Sequence, residues 1–243
     1  MSIKLNSDFL AVVTGASRGN GKAIATAFET AGAIVVRVDI QECNSKNVCF
    51  IGDVSDQKLI DSVKKYCLKQ KFKSFVLVNN AGITSPHSFP YPRDFWDKTI
   101  SINLTAPFMW IETFIPLFKN VDEGSIINIT SLAAERAFPD NPSYIASKGG
   151  LKMLTKYYAK SLGQYGIRAN NVGPGYIVTD MTTKSYSDKL TRERREKHTL
   201  LGRWGDTKDV AGVCLFLASN ESKYLTGQDL YIDGGWTTNG LVE

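Results

Sequence analysis

The sequence predicts an α/β fold in which seven parallel strands form a doubly wound sheet with helices on both faces. Two observations carry this expectation. Short apolar, β-branched runs such as Ile34-Val35-Val36 have the composition of strands buried on both faces. Segments with apolar residues at helical spacing alternate with them along the chain, and repeated βα units imply a parallel sheet covered from both sides.

The elements follow in order. Phe9–Thr14 reads as the first strand, and 21–31 as a helix with Ile24, Ala27, Phe28 and Ala31 on one face. Residues 34–38 and 48–51 are the next strands, separated from a fourth at 75–78 by a helix over 56–69 that aligns Leu59, Val63 and Cys67. A long helical stretch spans 94–118, with a kink expected at Pro107. A strand over 126–129, a long helix over 144–165, a strand over 167–172, a helix over 209–218 and a closing strand over 230–232 complete the pattern. With no linker, repeat or low-complexity segment, the 243 residues are expected to form one domain, 1–243.

Composition excludes several classes. A net charge of +5 without a basic stripe interleaved with aromatics does not indicate nucleic-acid binding. The four cysteines lack CxxC spacing and the two histidines, His87 and His198, are far apart, so no metal site is expected. Residues 1–9 are too polar and short for a signal peptide, and no run approaches the roughly 18 apolar residues that cross a membrane. The expectation is a cytoplasmic protein with reduced thiols.

Thr14-Gly15-Ala16-Ser17-Arg18-Gly19-Asn20-Gly21 joins the first strand to the first helix. Glycines in such a turn let the backbone approach a ligand, and the amides of the following helix N-terminus favour a pyrophosphate. The spacing is GxxxGxG; alone it also fits a turn that only packs helix against sheet. Asp39, eighteen residues after Gly21, ends the second strand where an acidic side chain meets adenosine ribose hydroxyls. A carboxylate there favours NAD(H). Arg18 and Arg37 point the other way, since either could pair with the extra phosphate of NADP(H), which stays the alternative.

Tyr144 and Lys148 stand at i and i+4, on one helix face, and Ser131 ends the fifth strand thirteen residues before Tyr144. A free phenol with pKa near ~10 is a poor acid–base group at neutral pH. A nearby ammonium and a positive nicotinamide would lower it toward neutrality, and a serine hydroxyl would hydrogen-bond the reacting oxygen.

With these residues in place, the chain resembles the short-chain dehydrogenase/reductase family, in its branch of about 250 residues, from about Asp8 to Trp236. The motifs are Thr14-Gly15 through Gly21, Asp53-Val54, Asn79-Asn80-Ala81-Gly82, Asn103, Ser131, Tyr144-x-x-x-Lys148, Gly173-Pro174-Gly175 and Asp233-Gly234-Gly235. The resemblance implies a Rossmann-type sheet and an enzyme interconverting a secondary alcohol and a ketone. It implies Tyr144 as general acid–base and Ser131 as the group polarising the substrate oxygen. Lys148 is implied to lower the tyrosine pKa and bind the nicotinamide ribose, and Asn103 to serve the proton relay. Cofactor contacts are implied for Gly15, Ser17, Arg18, Asn20, Gly21, Asp39, Asp53, Val54, Asn80, Ala81, Gly82, Pro174, Gly175, Ile177 and Thr179, besides Tyr144 and Lys148. Asn20 departs from the family, which has Ile or Leu there.

Substrate contacts are expected from residues 133–143, 85–95 and a charged lid at 181–204. Glu135, Arg136 and His87 are polar candidates, and the flavour of these segments favours a sugar, polyol or similar alcohol. A 3-oxoacyl-[acyl-carrier-protein] reductase is the alternative, and a non-catalytic dinucleotide sensor a second. The resemblance suggests a homodimer or homotetramer through helices 94–118 and 144–165.

Overall fold

The computed structural model describes residues 3–239 except Asn6, Asn44 and Lys46. Its seven strands are β1 (Phe9–Thr14), β2 (Ile34–Asp39), β3 (Cys49–Ile51), β4 (Ser74–Asn79), β5 (Glu123–Ile129), β6 (Ile167–Pro174) and β7 (Asp229–Ile232). They form one sheet in the order β3-β2-β1-β4-β5-β6-β7, every pair parallel. The order reverses between β1 and β4, and the crevice beyond their carboxyl ends is where ligands of such sheets bind.

The described residues form eight α-helices: α1 (Gly19–Thr30), α2 (Gln57–Cys67), α3 (Arg93–Ile100), α4 (Ala106–Phe118), α5 (Pro142–Leu162), α6 (Thr183–Ser187), α7 (Lys189–His198) and α8 (Thr207–Ala218). One core layer packs α2, α4 and α5 on the sheet through Ile60, Val63, Trp110, Phe114 and Tyr158. The other packs α1 and α8 through Ile24, Phe28, Val210 and Leu217. Helix starts follow their caps. The Asp56 carboxylate accepts from Lys58 N at 2.9 Å to open α2, and Asp206 and Asp209 form a capping box at α8.

Three expectations change. The long helix is interrupted by a π-helical turn, Ser101–Thr105, immediately before Pro107, which sits in the first turn of α4. The continuous helix 93–118 is 26 residues long and contains an 18-residue window of mean hydropathy 1.2, which by length and composition alone would suffice for a membrane span. Here its Trp110, Ile111, Phe114, Leu117 and Phe118 pack into the core.

The third concerns the thiols. Cys43 and Cys49 are joined as a disulfide, their Cα atoms 6.0 Å apart, while Cys67 and Cys214 are free and buried. The spacing of six hides this pair from a search for CxxC. The loop leaving β2 returns to start the parallel strand β3 and brings the two together.

Candidate active site

The site is assembled along the carboxyl ends of β1, β4, β5 and β6. Gly15 turns the chain out of β1 with φ +66°, and a Cβ there would lie 2.9 Å from Ala81 Cα. Only glycine lets the β4 loop come so close. That loop is stitched to the turn: Asn80 Nδ2 donates to Thr14 O and Gly15 O at 3.0 Å, and Asn80 N and Ala81 N donate to Thr14 Oγ1 at 3.0 and 3.1 Å. Thr14 entered the sequence reading only as the end of the first strand and the first residue of the glycine motif, without a role of its own.

The residues at the turn fit a dinucleotide. Helix α1 has no side-chain cap and no acidic residue in its first turn, so its leading amides remain to meet an anion. Ser17 Oγ and Asn20 Oδ1 are buried without a hydrogen-bond partner. Asp39, 7 % exposed, accepts from Ser17 N at 2.9 Å and from Gln41 N at 3.0 Å, which fixes the carboxylate at the end of β2.

Of the two arginines weighed for a phosphate, Arg37 is committed elsewhere and Arg18 stays at the turn. Arg37 is 3 % exposed, with Nε and Nη2 on Glu29 at 2.9 Å, Nη1 on Ala16 O at 3.1 Å and Nη2 on Thr26 Oγ1 at 3.0 Å. Its donors are committed between β2 and α1, so the pairing considered from sequence is not available. Arg18 is exposed and lies 4.0 Å from Asp180 at the base of the lid. Asp53 is exposed and caps its own turn through Ser55 N at 2.8 Å, while Val54 is buried and its carbonyl accepts from Trp110 Nε1 at 2.9 Å.

Ser131, Tyr144, Lys148 and Asn103 converge beside the turn. Ser131 caps a short 3-10 turn, 132–134, its Oγ accepting from Ala133 N at 3.2 Å, and its hydroxyl is close enough to act on the Tyr144 phenol. Lys148, one turn along α5, donates from Nζ to Ile129 O at 2.8 Å and stands 5.7 Å from the Tyr144 ring centroid. Asn103 lies in the π turn; its Oδ1 accepts from Ile83 N at 2.8 Å and its Nδ2 donates to Ile83 O at 2.9 Å and Ser147 Oγ at 3.2 Å. The bare face of Gly82 fills the gap: a Cβ there would sit 3.3 Å from Asn103 Oδ1 and 3.5 Å from Lys148 Nζ.

Electrostatically, burial dominates. It pushes the Tyr144 phenol above its ordinary value, with the Ser131 hydrogen bond pulling the other way, and it lowers Lys148 to about 8. The near-neutral phenol expected from the Tyr–Lys spacing is therefore not reached by protein groups alone. A buried ammonium costs desolvation, and Lys148 partly gives up the charge that would act on the phenol.

On the β6 side, Gly175 N donates to Ile232 O at 2.9 Å and places Pro174-Gly175; Ile177 is buried, and Thr179 faces Gly19. Residues 178–204 form an excursion closed at its base, where Val178 N donates to Gly205 O at 3.0 Å and Gly205 N to Tyr176 O at 2.9 Å. Helices α6 and α7 lie within it, and the Arg195 guanidinium stacks on Tyr176 at 4.2 Å and near Trp204 at 5.4 Å. Of the polar substrate candidates, Glu135 is tied to Lys152 and accepts from Tyr231 Oη at 2.8 Å, and Arg136 donates to Thr237 O at 3.1 Å. His87 packs edge-on against Tyr91 and Phe95.

The family model described as enoyl-(acyl carrier protein) reductase matches residues 15–237. The chain belongs to the short-chain dehydrogenase/reductase family. It is 36 % identical over 237 residues to the 3-oxoacyl-[acyl-carrier-protein] reductase of Thermotoga maritima, covering 92 % of this chain and 96 % of that protein. Gluconate 5-dehydrogenase of Burkholderia cenocepacia, solved with NADP and tartrate, superposes with TM-score 0.89 at 29 % identity, over 98 % of each chain. Aldohexose dehydrogenase of Thermoplasma acidophilum gives TM-score 0.90 at 26 % identity, over 98 % of this chain and 97 % of that one. As a member of this family, the protein is an oxidoreductase acting on CH–OH groups with a nicotinamide dinucleotide.

Proposed function

We propose that this dehydrogenase/reductase interconverts a secondary alcohol and a ketone on a polar, polyhydroxylated substrate, using Ser131, Tyr144 and Lys148. The observation that carries the reading is the Lys148 ammonium 5.7 Å from the Tyr144 ring, with the Ser131 hydroxyl acting on the phenol, beside the glycine turn. Bound dinucleotide supplies the hydride acceptor or donor and, when oxidised, a positive ring that favours phenolate. In the oxidative direction Tyr144 Oη takes the hydroxyl proton, Ser131 Oγ holds the substrate oxygen by donating to it, and Lys148 favours the ionised phenol. In the reductive direction Tyr144 returns that proton to the carbonyl oxygen. Asn103 clamps the loop at Ile83 beside Lys148 and keeps its assignment to the proton relay.

NAD(H) is the proposed preference. The carboxylate of Asp39 at the end of β2 supports it, as does the withdrawal of Arg37 into its contact with Glu29. The ratio of kcat/KM with the two cofactors checks it: Asp39→Ser should shift the ratio toward NADP(H) by about tenfold or more, as expected when a repelling carboxylate is removed. A wild-type preference for NADPH would contradict the assignment.

The polar lid, and the likeness to gluconate 5-dehydrogenase and aldohexose dehydrogenase, support a sugar, polyol or aldonate. The likeness to the Thermotoga reductase supports 3-oxoacyl thioesters as a second reading. A panel of aldoses, polyols, aldonates and short 3-oxoacyl thioesters with both cofactors separates them. Turnover confined to the thioesters would replace the first reading by the second, and binding without turnover across the panel would favour a sensor. The α4 and α5 surfaces, with Phe108, Met153 and Tyr157 exposed, support a homodimer or homotetramer.

A further inference from the structure

The joined pair Cys43–Cys49 lies between the two places that the chain offers to the adenosine end of a dinucleotide. Asp39 is four residues before Cys43, and Asp53 is four residues after Cys49. The intervening strand is short and at the sheet edge: β3 pairs only as Arg37↔Cys49, Val38↔Phe50 and Asp39↔Ile51. Gln41 N donates to the Asp39 carboxylate at 3.0 Å, Gly52 N donates to Asp39 O at 2.8 Å, and the Asn47 side chain hydrogen-bonds Glu29, the partner of Arg37. The residues flanking the joined pair on both sides, Gln41 and Gly52, are thus hydrogen-bonded to Asp39. The Cα separation of 6.0 Å is within the range that a disulfide spans. The other two cysteines do not compete for this chemistry. Cys67 and Cys214 are fully buried, and burial holds both thiols well above the ordinary range, so neither supplies a reactive thiolate.

We propose that Cys43 and Cys49 are a reversible redox site that sets how tightly the enzyme holds its dinucleotide: tightly as the disulfide, more weakly as the dithiol. The inference rests on the dinucleotide reading of the site. In the oxidising direction one cysteine thiolate attacks a small disulfide of the glutathione-disulfide class and releases one thiol. The second cysteine then displaces the other thiol and closes the Cys43–Cys49 bond. Two electrons pass from the protein to the small disulfide, which leaves as two thiols carrying the two protons. Reduction is the reverse, with two small thiols supplying the electrons. In a reducing compartment such as the cytoplasm expected from the sequence, the dithiol is the resting state and oxidation the signal. The disulfide acts by covalently tying the end of β2 to the start of β3, so that less conformational entropy is lost when the adenosine is bound beside Asp39.

The test equilibrates the protein with oxidised or reduced glutathione, counts thiols in the peptide holding residues 43–49 by alkylation and mass spectrometry, and titrates NADH by fluorescence. Reduction is expected to raise Kd for NADH about fivefold, equivalent to about 1 kcal/mol, while kcat at saturating cofactor stays within about twofold. Cys43→Ser and Cys43→Ser/Cys49→Ser should bind NADH like the reduced protein in either buffer. Reduction of the unsubstituted protein serves as the control, needing no substitution. Equal Kd values for protein shown to be oxidised and protein shown to be reduced would overturn the inference, as would failure of the disulfide to form, or redox dependence that persists in the double variant. Loss of NADH binding in both states would instead overturn the dinucleotide reading itself and this inference with it.

Discussion

At the residue scale, the most exacting feature is a lysine kept almost dry beside a phenol. Lys148 is 4 % exposed and its value is lowered by burial to about 8, against 10.5 for a free lysine. Between those two pH values the unfolded chain holds a proton that the native protein does not, so native stability rises with pH across that window. The cost of the buried ammonium is fully present below about pH 8 and disappears as pH approaches 10.5. Urea unfolding of the wild type and Lys148→Met from pH 7 to 10.5 should show wild type gaining about 3 kcal/mol relative to the variant. A difference independent of pH would mean that the lysine is not desolvated. The Tyr–Lys pair was legible because helix periodicity alone places i and i+4 together. The commitment of Arg37 to Glu29 was not, since which way a strand's side chain faces, and what meets it there, is settled by the packing of α1.

At the element scale, α5 is held on the sheet by a buried polar array. Asn79 Nδ2 donates to Asn128 Oδ1 at 2.8 Å, Asn128 Nδ2 to Thr155 Oγ1 at 2.7 Å, and Thr155 Oγ1 lies 2.6 Å from Asn171 Oδ1. The array crosses β4, β5 and β6 and meets α5 two turns beyond Lys148. Thr155 Oγ1 is the link between Asn128 Nδ2 and Asn171 Oδ1, so Thr155→Val should destabilise by about 2–4 kcal/mol by leaving those buried amide groups without a partner, and Thr155→Ser should restore most of it. Thermal or urea denaturation reads the difference; a Val variant as stable as wild type would show the array to be dispensable. Scattered asparagines carry no periodic signal, which is why this support was invisible beforehand. The strands, by contrast, announced themselves as apolar β-branched runs. The π turn that holds Asn103 was anticipated only as an irregularity near Pro107, and the Asn103 side chain is clamped to Ile83, a contact twenty residues away in sequence.

At the scale of the whole molecule, the alternation of strands and helices was enough to predict the sheet, its parallel strands and the crevice, because right-handed βα connections leave few other arrangements. The disulfide at the sheet edge and the closed base of the lid depend on tertiary returns of the chain and could not be read from spacing. The outer faces of α4 and α5 carry the proposed assembly: Met153→Glu/Tyr157→Glu should shift sedimentation toward the monomer, and a monomeric wild type at micromolar concentration would contradict it. The central claim, that the fold brings a proton-moving phenol to the dinucleotide crevice, is tested most directly by rapid-mixing measurement of hydride transfer in Tyr144→Phe with a substrate found in the panel. The account predicts a rate lowered about 10³-fold or more, with Kd for NADH within about twofold of wild type. Hydride transfer at a near-wild-type rate in that variant would contradict it.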